Sequence, residues 1–241
     1  MIGHASCDEN KKAKGGVAGD QTGKEVCIRS WYSKPWHSVI RAKDERIAER
    51  MAKCCEAICN NNLVGYDQNQ RNTLRTELKK VGWNIEALKV PCETDCSAFM
   101  SVCAEYAGVA MNEQYINGNA PTTANMVIKF FNTGMFDILT DVVYLINDTQ
   151  LKRGDILVGK GHTAMNLTNG GGSGKKPVLA KGSKGSWVKI LQGRLVIKGY
   201  KIAVDGDFGE MTKQAVISFQ GESGLVKDGI VGSKTWEKLE K

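Results

Sequence analysis

A glycine-rich segment, "NGGGSGKKP" at residues 169–177, is the feature that most constrains how this chain of 241 residues can fold. The segment is polar and basic, as flexible linkers are. It predicts two unequal domains at residues 1–169 and 183–241, joined by a Gly/Lys-rich linker at residues 170–182. The chain is long enough for the larger domain to bury a sizeable core.

Positive charge is concentrated after this segment. Residues 1–169 carry 20 Lys and Arg against 19 Asp and Glu, whereas residues 170–241 carry 13 against 7. A basic domain favours a polyanionic partner such as nucleic acid, acidic lipid or an anionic cell-wall polymer. An ordinary solvated basic face explains the same charge equally well.

Long apolar runs are absent from the sequence. No stretch approaches the roughly 18 apolar residues of a membrane span, so we expect no stable membrane insertion. The start, "MIGHASCDENKK", has neither the basic nor the apolar region of a secretory signal peptide. We therefore expect synthesis in a cytoplasm without a signal peptide.

Eight cysteines without a secretory signal favour free thiols over a disulfide framework. Three of them lie in "CCEAIC" at residues 54–59, on a helical pattern with no second Cys or His pair beside it. Buried packing is a better interpretation of these three than a zinc site. We expect neither a metal nor another cofactor.

Hydrophobic periodicity predicts the elements of the larger domain. "KEVCIRSWY" alternates as a strand does, and "RGDILVGKGHTAMNL" indicates two short strands joined by a glycine turn. Helices are predicted in "AKDERIAERMAKCCEAICNNN", where Asp44 is the N-cap, in "RNTLRTELKKVGW", and from Cys96 in "CSAFMSVCAEYAG".

Cys96 opens its predicted helix within "TDCSAFM". The partial positive charge of a helix N-terminus favours a thiolate, and a neighbouring histidine can accept the proton. His162 lies in "GHTAMNL" on a predicted strand, which can hold an imidazole against the helix. The alternative is a small buried cysteine and an ordinary strand histidine.

Together these two motifs resemble the NlpC-type cysteine peptidases and the related phage amidases of peptidoglycan, which carry D-C-S on a helix and G-D and G-H on the sheet. The resemblance implies an α+β, papain-like domain in which a helix-borne cysteine packs on a small antiparallel sheet. It implies that Cys96 is the nucleophile and His162 the general base. It also implies that Tyr66, in "VGYDQNQR", and Asp95 and Ser97 line the substrate pocket.

The chain departs from this family pattern in two places. About 30 residues separate Tyr66 from Cys96, so we expect an inserted helix between them. The linker also begins seven residues after His162, where the family has a strand with a third polar residue. "MIGHAS", a Gly-rich turn and "KEVCIRSWY" resemble the missing strands, so we hypothesise a circular permutation that places residues 2–36 first.

Under this hypothesis His4 is the third catalytic residue, accepting the ring N–H of His162 and fixing its tautomer. Asn166, Asp20 and Glu25 are the alternative orienting residues. The aromatic and cationic segment "RSWYSKPWH", Arg29–His37, either stacks on sugar rings or packs beneath the helix that follows.

An internal repeat organises the C-terminal domain. "DGDFGEMT" at 205–212 and "DGIVGSKT" at 228–235 share the pattern D-G-x-apolar-G-x-x-T, and each leads into a predicted helix. With "SWVKILQGRLVIKG", where Val188, Leu191, Leu195 and Ile197 are candidates for the inner face, these helices predict a three-helix bundle. The domain resembles the three-helix peptidoglycan-binding domain.

The two resemblances name the same polymer. They imply a phage or prophage endolysin that stays in the host bacterial cytoplasm before lysis and then acts on peptidoglycan, with anionic wall polymers as further partners. Three activities stay open: endopeptidase of the stem peptide, N-acetylmuramoyl-L-alanine amidase, and a non-catalytic wall-binding protein. Nucleic acid is not expected as a partner, because the basic domain has no recognisable reading helix.

Overall fold

The computed structural model describes residues 1–170 and 176–239. It divides into two compact units, Met1–Gly170 and Gly171–Lys241. Residues 171–175, in the middle of the predicted linker, lie outside the described residues. No helix in the described part of the chain has the length and apolar character needed to cross a bilayer.

The first unit combines helices and strands. Its strands are β1 (Ile2–Ala5), β2 (Val26–Arg29), β3 (Trp36–Ala42), β4 (Val64–Tyr66), β5 (Cys92–Thr94), β6 (Phe136–Leu139), β7 (Ile156–Gly159) and β8 (His162–Asn166). Its α-helices are α1 (Glu45–Cys59), α2 (Thr73–Lys80), α3 (Cys96–Tyr106) and α4 (Met126–Asn132). The predicted α+β class is thus observed, and α2 is the expected inserted helix.

A six-stranded sheet in the order β2-β1-β8-β7-β3-β6 forms the centre of this unit, and all its neighbouring strands are antiparallel. Strand β1 pairs directly with β8, with Ile2 opposite Asn166 and Gly3 opposite Met165. The segment that begins the sequence therefore lies beside the strand of His162. The permutation hypothesis requires this placement, although the hypothesis itself remains a proposal.

The main core lies on the face of the sheet that α1 and α3 cover. The Asp44 carboxylate accepts the N–H of Arg46 at the start of α1, as its predicted capping role requires. Helix α1 approaches β1 so closely that a Cβ at Gly3 would overlap the sulfur of Cys55. All eight cysteines are free thiols, and Cys55 and Cys103 are fully buried within this core.

A smaller apolar cluster lies on the other face of the sheet and contains Trp36, Val39 and Leu157. An irregularity in the pairing of β3 with β7, between Trp36 and Ser38, turns the Trp36 side chain onto this face. The prediction that the aromatic segment packs beneath the following helix is therefore wrong, because that helix, α1, covers the opposite face.

The second unit is helical, with α5 (Ser186–Ile197), α6 (Glu210–Glu222) and α7 (Ser233–Leu239). Leu191, Phe208, Val231 and Trp236 are buried between them, as the repeat pattern indicates. Ile197 is 76% exposed and does not face the core. It ends α5 two residues after the buried Leu195, about 200° further round the helix, and so points away from the other helices.

One buried glutamine organises each repeat of this unit. The side-chain amide of Gln192 donates to the carboxylate of Asp205, the carbonyl of Asp207 and the hydroxyl of Thr212, at 2.8, 3.0 and 3.1 Å. Its oxygen accepts the N–H of Gly206 at 2.8 Å. These hydrogen bonds hold the Asp205–Gly206 turn against α5, the helix that precedes it.

The second unit also includes part of the predicted linker. Leu179 is buried, and its main-chain N–H and carbonyl both form hydrogen bonds with the main chain of Val231. The carbonyl of Pro177 accepts the indole N–H of Trp236 at 2.9 Å. The linker predicted at 170–182 is therefore too long at its C-terminal end, because these apolar side chains and main-chain groups have partners in the bundle.

Candidate active site

The N-terminus of α3 places Cys96. Asp95 has extended backbone geometry and caps the helix, its carboxylate accepting the N–H groups of Ser97 and Ala98 at 2.9 and 2.7 Å. Cys96 is the first helical residue and only 5% exposed. The partial positive charge of the helix N-terminus therefore acts on its sulfur.

Arg71 holds this helix start in place. Its Nε lies 2.6 Å from Oδ2 of Asp95, and its Nη2 donates to the hydroxyl of Ser97 at 2.8 Å. Arg71 also donates to the carbonyls of Ala120 and Pro121. The side chains of Asp95 and Ser97 thus point inward and are bonded within the protein. Their predicted contact with substrate stays a prediction.

His162 begins β8 and lies within a cluster of aromatic rings. Its ring is stacked with those of Trp36 and Tyr32, at centroid distances of 6.1 and 6.3 Å, and meets the ring of His4 edge-on at 5.7 Å. The hydroxyl of Tyr32 lies 2.7 Å from Nε2 of His162 and 3.3 Å from Nδ1 of His4. The side chains of His162 and His4 are therefore linked through the Tyr32 hydroxyl.

The predicted direct hydrogen bond between His162 and His4 is not observed. Tyr32 is interposed, because the loop after β2 turns its hydroxyl between the two imidazoles. The sequence pattern marks the aromatic segment Arg29–His37 but does not distinguish Tyr32 within it. The only available signal was its place in that segment, since the path of the loop depends on tertiary packing.

Cys96 and His162 are brought together by the contact of α3 with β8. The main-chain N–H groups of Thr163, which follows His162, and of Ser97 act on the Cys96 thiol and lower its pKa. The described structure contains no hydrogen bond from the imidazole to the sulfur, and Nδ1 of His162 has no partner among the described residues. Nδ1 is therefore the ring nitrogen free to accept a proton.

Burial keeps both groups neutral. It raises the pKa of Cys96 to about 11, with the Asp95 charge adding to the effect and the Thr163 N–H and Arg71 opposing it. It lowers the pKa of His162 to about 3, helped by the charge of Lys34. At neutral pH the two groups are thus a thiol and a neutral imidazole.

Tyr66 lies near the same sulfur. It is buried, its hydroxyl accepts the side-chain N–H of Gln68 at 3.1 Å, and burial together with the proximity of Cys96 raises its pKa to about 12. The structure thus brings Tyr66 close to Cys96, and its role in binding substrate stays a prediction.

The alternative orienting residues are engaged elsewhere. The Asn166 amide donates to the carbonyls of Lys152 and Thr168. The Asp20 carboxylate accepts main-chain N–H groups of its own loop, and Glu25 accepts those of Gln21 and Tyr66. Within residues 1–170 and 176–239, no three His, Cys, Asp or Glu side chains converge as a metal site.

Residues 2–173 match the family described as Endolysin-like domain, which is well over half of the chain. The chain belongs to the endolysin-like domain family. Residues 184–239 of this endolysin-like protein match a second family, described as Putative peptidoglycan binding domain. The second match covers α5, α6 and α7.

Two curated relatives carry related names. A "Probable N-acetylmuramoyl-L-alanine amidase" of Bacillus licheniformis is 39% identical over 93 residues, which are 36% of this chain and 26% of the relative. The "N-acetylmuramoyl-L-alanine amidase CwlL" of the same organism is 26% identical over 195 residues, 74% of this chain and 51% of the relative. The endolysin-like protein thus spans about a quarter to a half of their lengths.

Among solved structures, a Burkholderia AP3 phage endolysin is 41% identical over 26% of this chain and 24% of its own, with a TM-score of 0.26. A likeness of this extent does not bear on the fold of the endolysin-like protein.

Proposed function

We propose that this endolysin-like protein is a peptidoglycan hydrolase that cleaves an amide bond of the bacterial cell wall through the thiol of Cys96. The observation that carries the proposal is the placement of Cys96 at a capped helix N-terminus, beside the main chain at His162–Thr163. The two family matches, Endolysin-like domain and Putative peptidoglycan binding domain, support the same substrate.

The proposed reaction begins from the neutral pair. The Cys96 sulfur attacks the amide carbonyl carbon while its proton passes to Nδ1 of His162. The main-chain N–H of Cys96 lies in the first helical turn, where no intrahelical acceptor exists, and donates to the oxyanion. His162 then gives the proton to the leaving amine, which leaves an acyl-enzyme.

Hydrolysis of the acyl-enzyme reverses these roles. His162 takes a proton from water, the hydroxide adds to the thioester carbonyl, and the thiolate leaves and regains its proton. All proton transfers run through Nδ1, so the mechanism needs the other ring nitrogen to keep its hydrogen throughout.

The bond cut is either within the stem peptide or between muramic acid and L-alanine. The names of the two relatives favour the second, N-acetylmuramoyl-L-alanine amidase. Lysis of a bacterial host by a phage or prophage is the setting that we propose for either activity.

The second unit would hold the enzyme on its insoluble substrate and so raise the local concentration of cleavable bonds. Residues 170–241 carry 13 Lys and Arg against 7 Asp and Glu, which favours attachment to an anionic wall. In this proposal the larger unit cleaves the wall and the smaller unit binds it.

Clearing of suspended cell walls tests the proposal. Cys96→Ala should abolish clearing, whereas Cys103→Ala, two turns further along the same helix and also buried, should retain it. Mass spectrometry of the fragments then identifies the bond, because new N-terminal L-alanine indicates the amidase. Full clearing by Cys96→Ala would contradict the proposal, because other residues or wall binding alone would then account for the clearing.

A further inference from the structure

A continuous line of polar groups runs from His162 away from Cys96. Nε2 of His162 lies 2.7 Å from the Tyr32 hydroxyl, which lies 3.3 Å from Nδ1 of His4. Nε2 of His4 lies 3.6 Å from the sulfur of Cys27, which lies 3.4 Å from the main-chain carbonyl of Lys24. The line thus ends on a group that can only accept hydrogen bonds.

That last acceptor determines the direction of every bond in the line. Because the Lys24 carbonyl has no hydrogen to give, the thiol of Cys27 donates to it. The Cys27 sulfur then accepts from Nε2–H of His4, which leaves Nδ1 of a neutral His4 as an acceptor. The Tyr32 hydroxyl donates to that nitrogen, and its oxygen accepts from Nε2–H of His162.

We propose that Tyr32, His4 and Cys27 form a polarised hydrogen-bond relay, anchored on the Lys24 carbonyl, that holds His162 in its Nε2–H tautomer. This inference rests on the proposed function only in making Nδ1 of His162 the catalytic base. Tyr32 and Cys27 are then positioning residues, and His4 acts through Tyr32 rather than by direct contact.

Strand pairing gives the relay its geometry. His4 on β1 lies directly opposite Cys27 on β2, so the antiparallel ladder sets the distance between them. Tyr32 follows β2 after a short loop and has the guanidinium of Arg29 over its ring, with Cζ 4.9 Å from the centroid. The relay is therefore held by main-chain structure and not by flexible side chains alone.

Each member of the relay has the protonation state that the relay needs at neutral pH. Burial lowers the pKa of His4 to about 4, so its ring is neutral. Burial raises the pKa of Tyr32 to about 12 and also raises that of Cys27, so both keep their hydrogens.

Nitrogen-15 NMR of the 241-residue protein labelled at histidine tests the tautomer without depending on activity. At pH 7 we expect both His162 and His4 in the Nε2–H form. In Tyr32→Phe, His162 should become a tautomeric mixture, whereas His4 should keep the Nε2–H form because its contact with Cys27 is retained. Exposed His37, assigned with His37→Gln, is the internal control and should not change. Observation of His162 as the Nδ1–H form in the wild-type protein would overturn the relay.

Kinetics of wall hydrolysis test the linkage. Tyr32→Phe should lower kcat by about 10- to 100-fold with little change in KM, a part of the roughly 10²–10⁴-fold that proton transfer contributes. Tyr106→Phe, a half-buried tyrosine on α3, is the matched control. His4→Ala should cost activity in the wild-type background and almost none in Tyr32→Phe, whereas equal losses in both would show that His4 acts independently.

Cys27 provides the conservative comparison. Cys27→Ser retains a donor and an acceptor and should keep activity, whereas Cys27→Ala removes both and should lower kcat; equal activity of the two variants would remove Cys27 from the relay. Cys96→Ala separates the two proposals. If it retained activity, the proposed function would fail, while the NMR result would still decide the relay.

Discussion

Asp95 caps the helix that begins at Cys96, and Arg71 binds the same carboxylate through two nitrogens, at 2.6 and 3.1 Å. The two side chains are only 11% and 10% exposed. A buried ion pair therefore sets the position of the proposed nucleophile. Asp95 thus serves both as the cap of the helix that begins at Cys96 and as the ion-pair partner of Arg71.

Removal of Arg71 should destabilise the first unit. Arg71→Ala leaves the Asp95 carboxylate buried without its cation, which typically costs about 3–5 kcal/mol. Arg71→Lys keeps the charge but cannot reproduce the planar fork, so we expect an intermediate loss of stability and activity. Urea unfolding measures the change, and Arg46→Ala, which removes an exposed ion pair, should have little effect.

Stability should depend on pH through His4. Its folded pKa of about 4 lies below the ordinary value of 6.5, so between these values the unfolded chain binds more protons. The contribution is complete above pH 6.5 and is lost as the pH falls towards 4, by at most about 3 kcal/mol. His4→Gln should flatten this part of the curve of unfolding free energy against pH, and parallel curves would contradict the assignment.

Glu93 should act in the opposite direction. Burial raises its pKa from 4.5 to about 7, so between these values the folded protein holds a proton that the unfolded chain has released. Stability from this group is complete below pH 4.5 and is lost as the pH rises through 7. Glu93→Gln should therefore gain stability relative to the wild type at pH 8, on the order of 1 kcal/mol, and little at pH 4. Glu113→Gln, at an exposed position, should show no such trend.

The second unit should lose wall binding when its buried glutamines are removed. In the second repeat Gln220 donates to Asp228, Ile230 and Thr235 and accepts from Gly229. Gln220→Ala leaves these groups without their hydrogen-bond partner, which lowers the free energy of unfolding by about 1–3 kcal/mol. Co-sedimentation with cell walls should weaken, while cleavage of a soluble fragment stays unchanged. Gln214→Ala, at an exposed position on α6, should co-sediment as the wild type does.

Local patterns predicted much of this architecture. Asp44 caps its helix, the three helices of the second unit follow the repeat, and the strand of His162 follows a glycine turn, because each depends on neighbours close in sequence. These elements needed only periodicity and capping chemistry.

Features that depend on tertiary contacts were harder to foresee. The bulge that turns Trp36 over arises between paired strands, and the hydroxyl of Tyr32 reaches His162 across 130 residues of sequence. Arg71 ends the segment "VGYDQNQR", but its ion pair with Asp95 depends on how the chain folds back before α2. Composition also does not show where the linker ends, because Leu179 bonds to Val231, far along the chain.

The pairing of β1 with β8 has a consequence for synthesis. During translation β1 and β2 emerge early, while the strand that carries His162 emerges only when nearly all of the first unit has left the ribosome. Contacts of such long sequence separation form late in folding. The nascent chain therefore carries an unassembled site until the whole unit is made, so the proposed hydrolase would gain its activity only once the unit is complete.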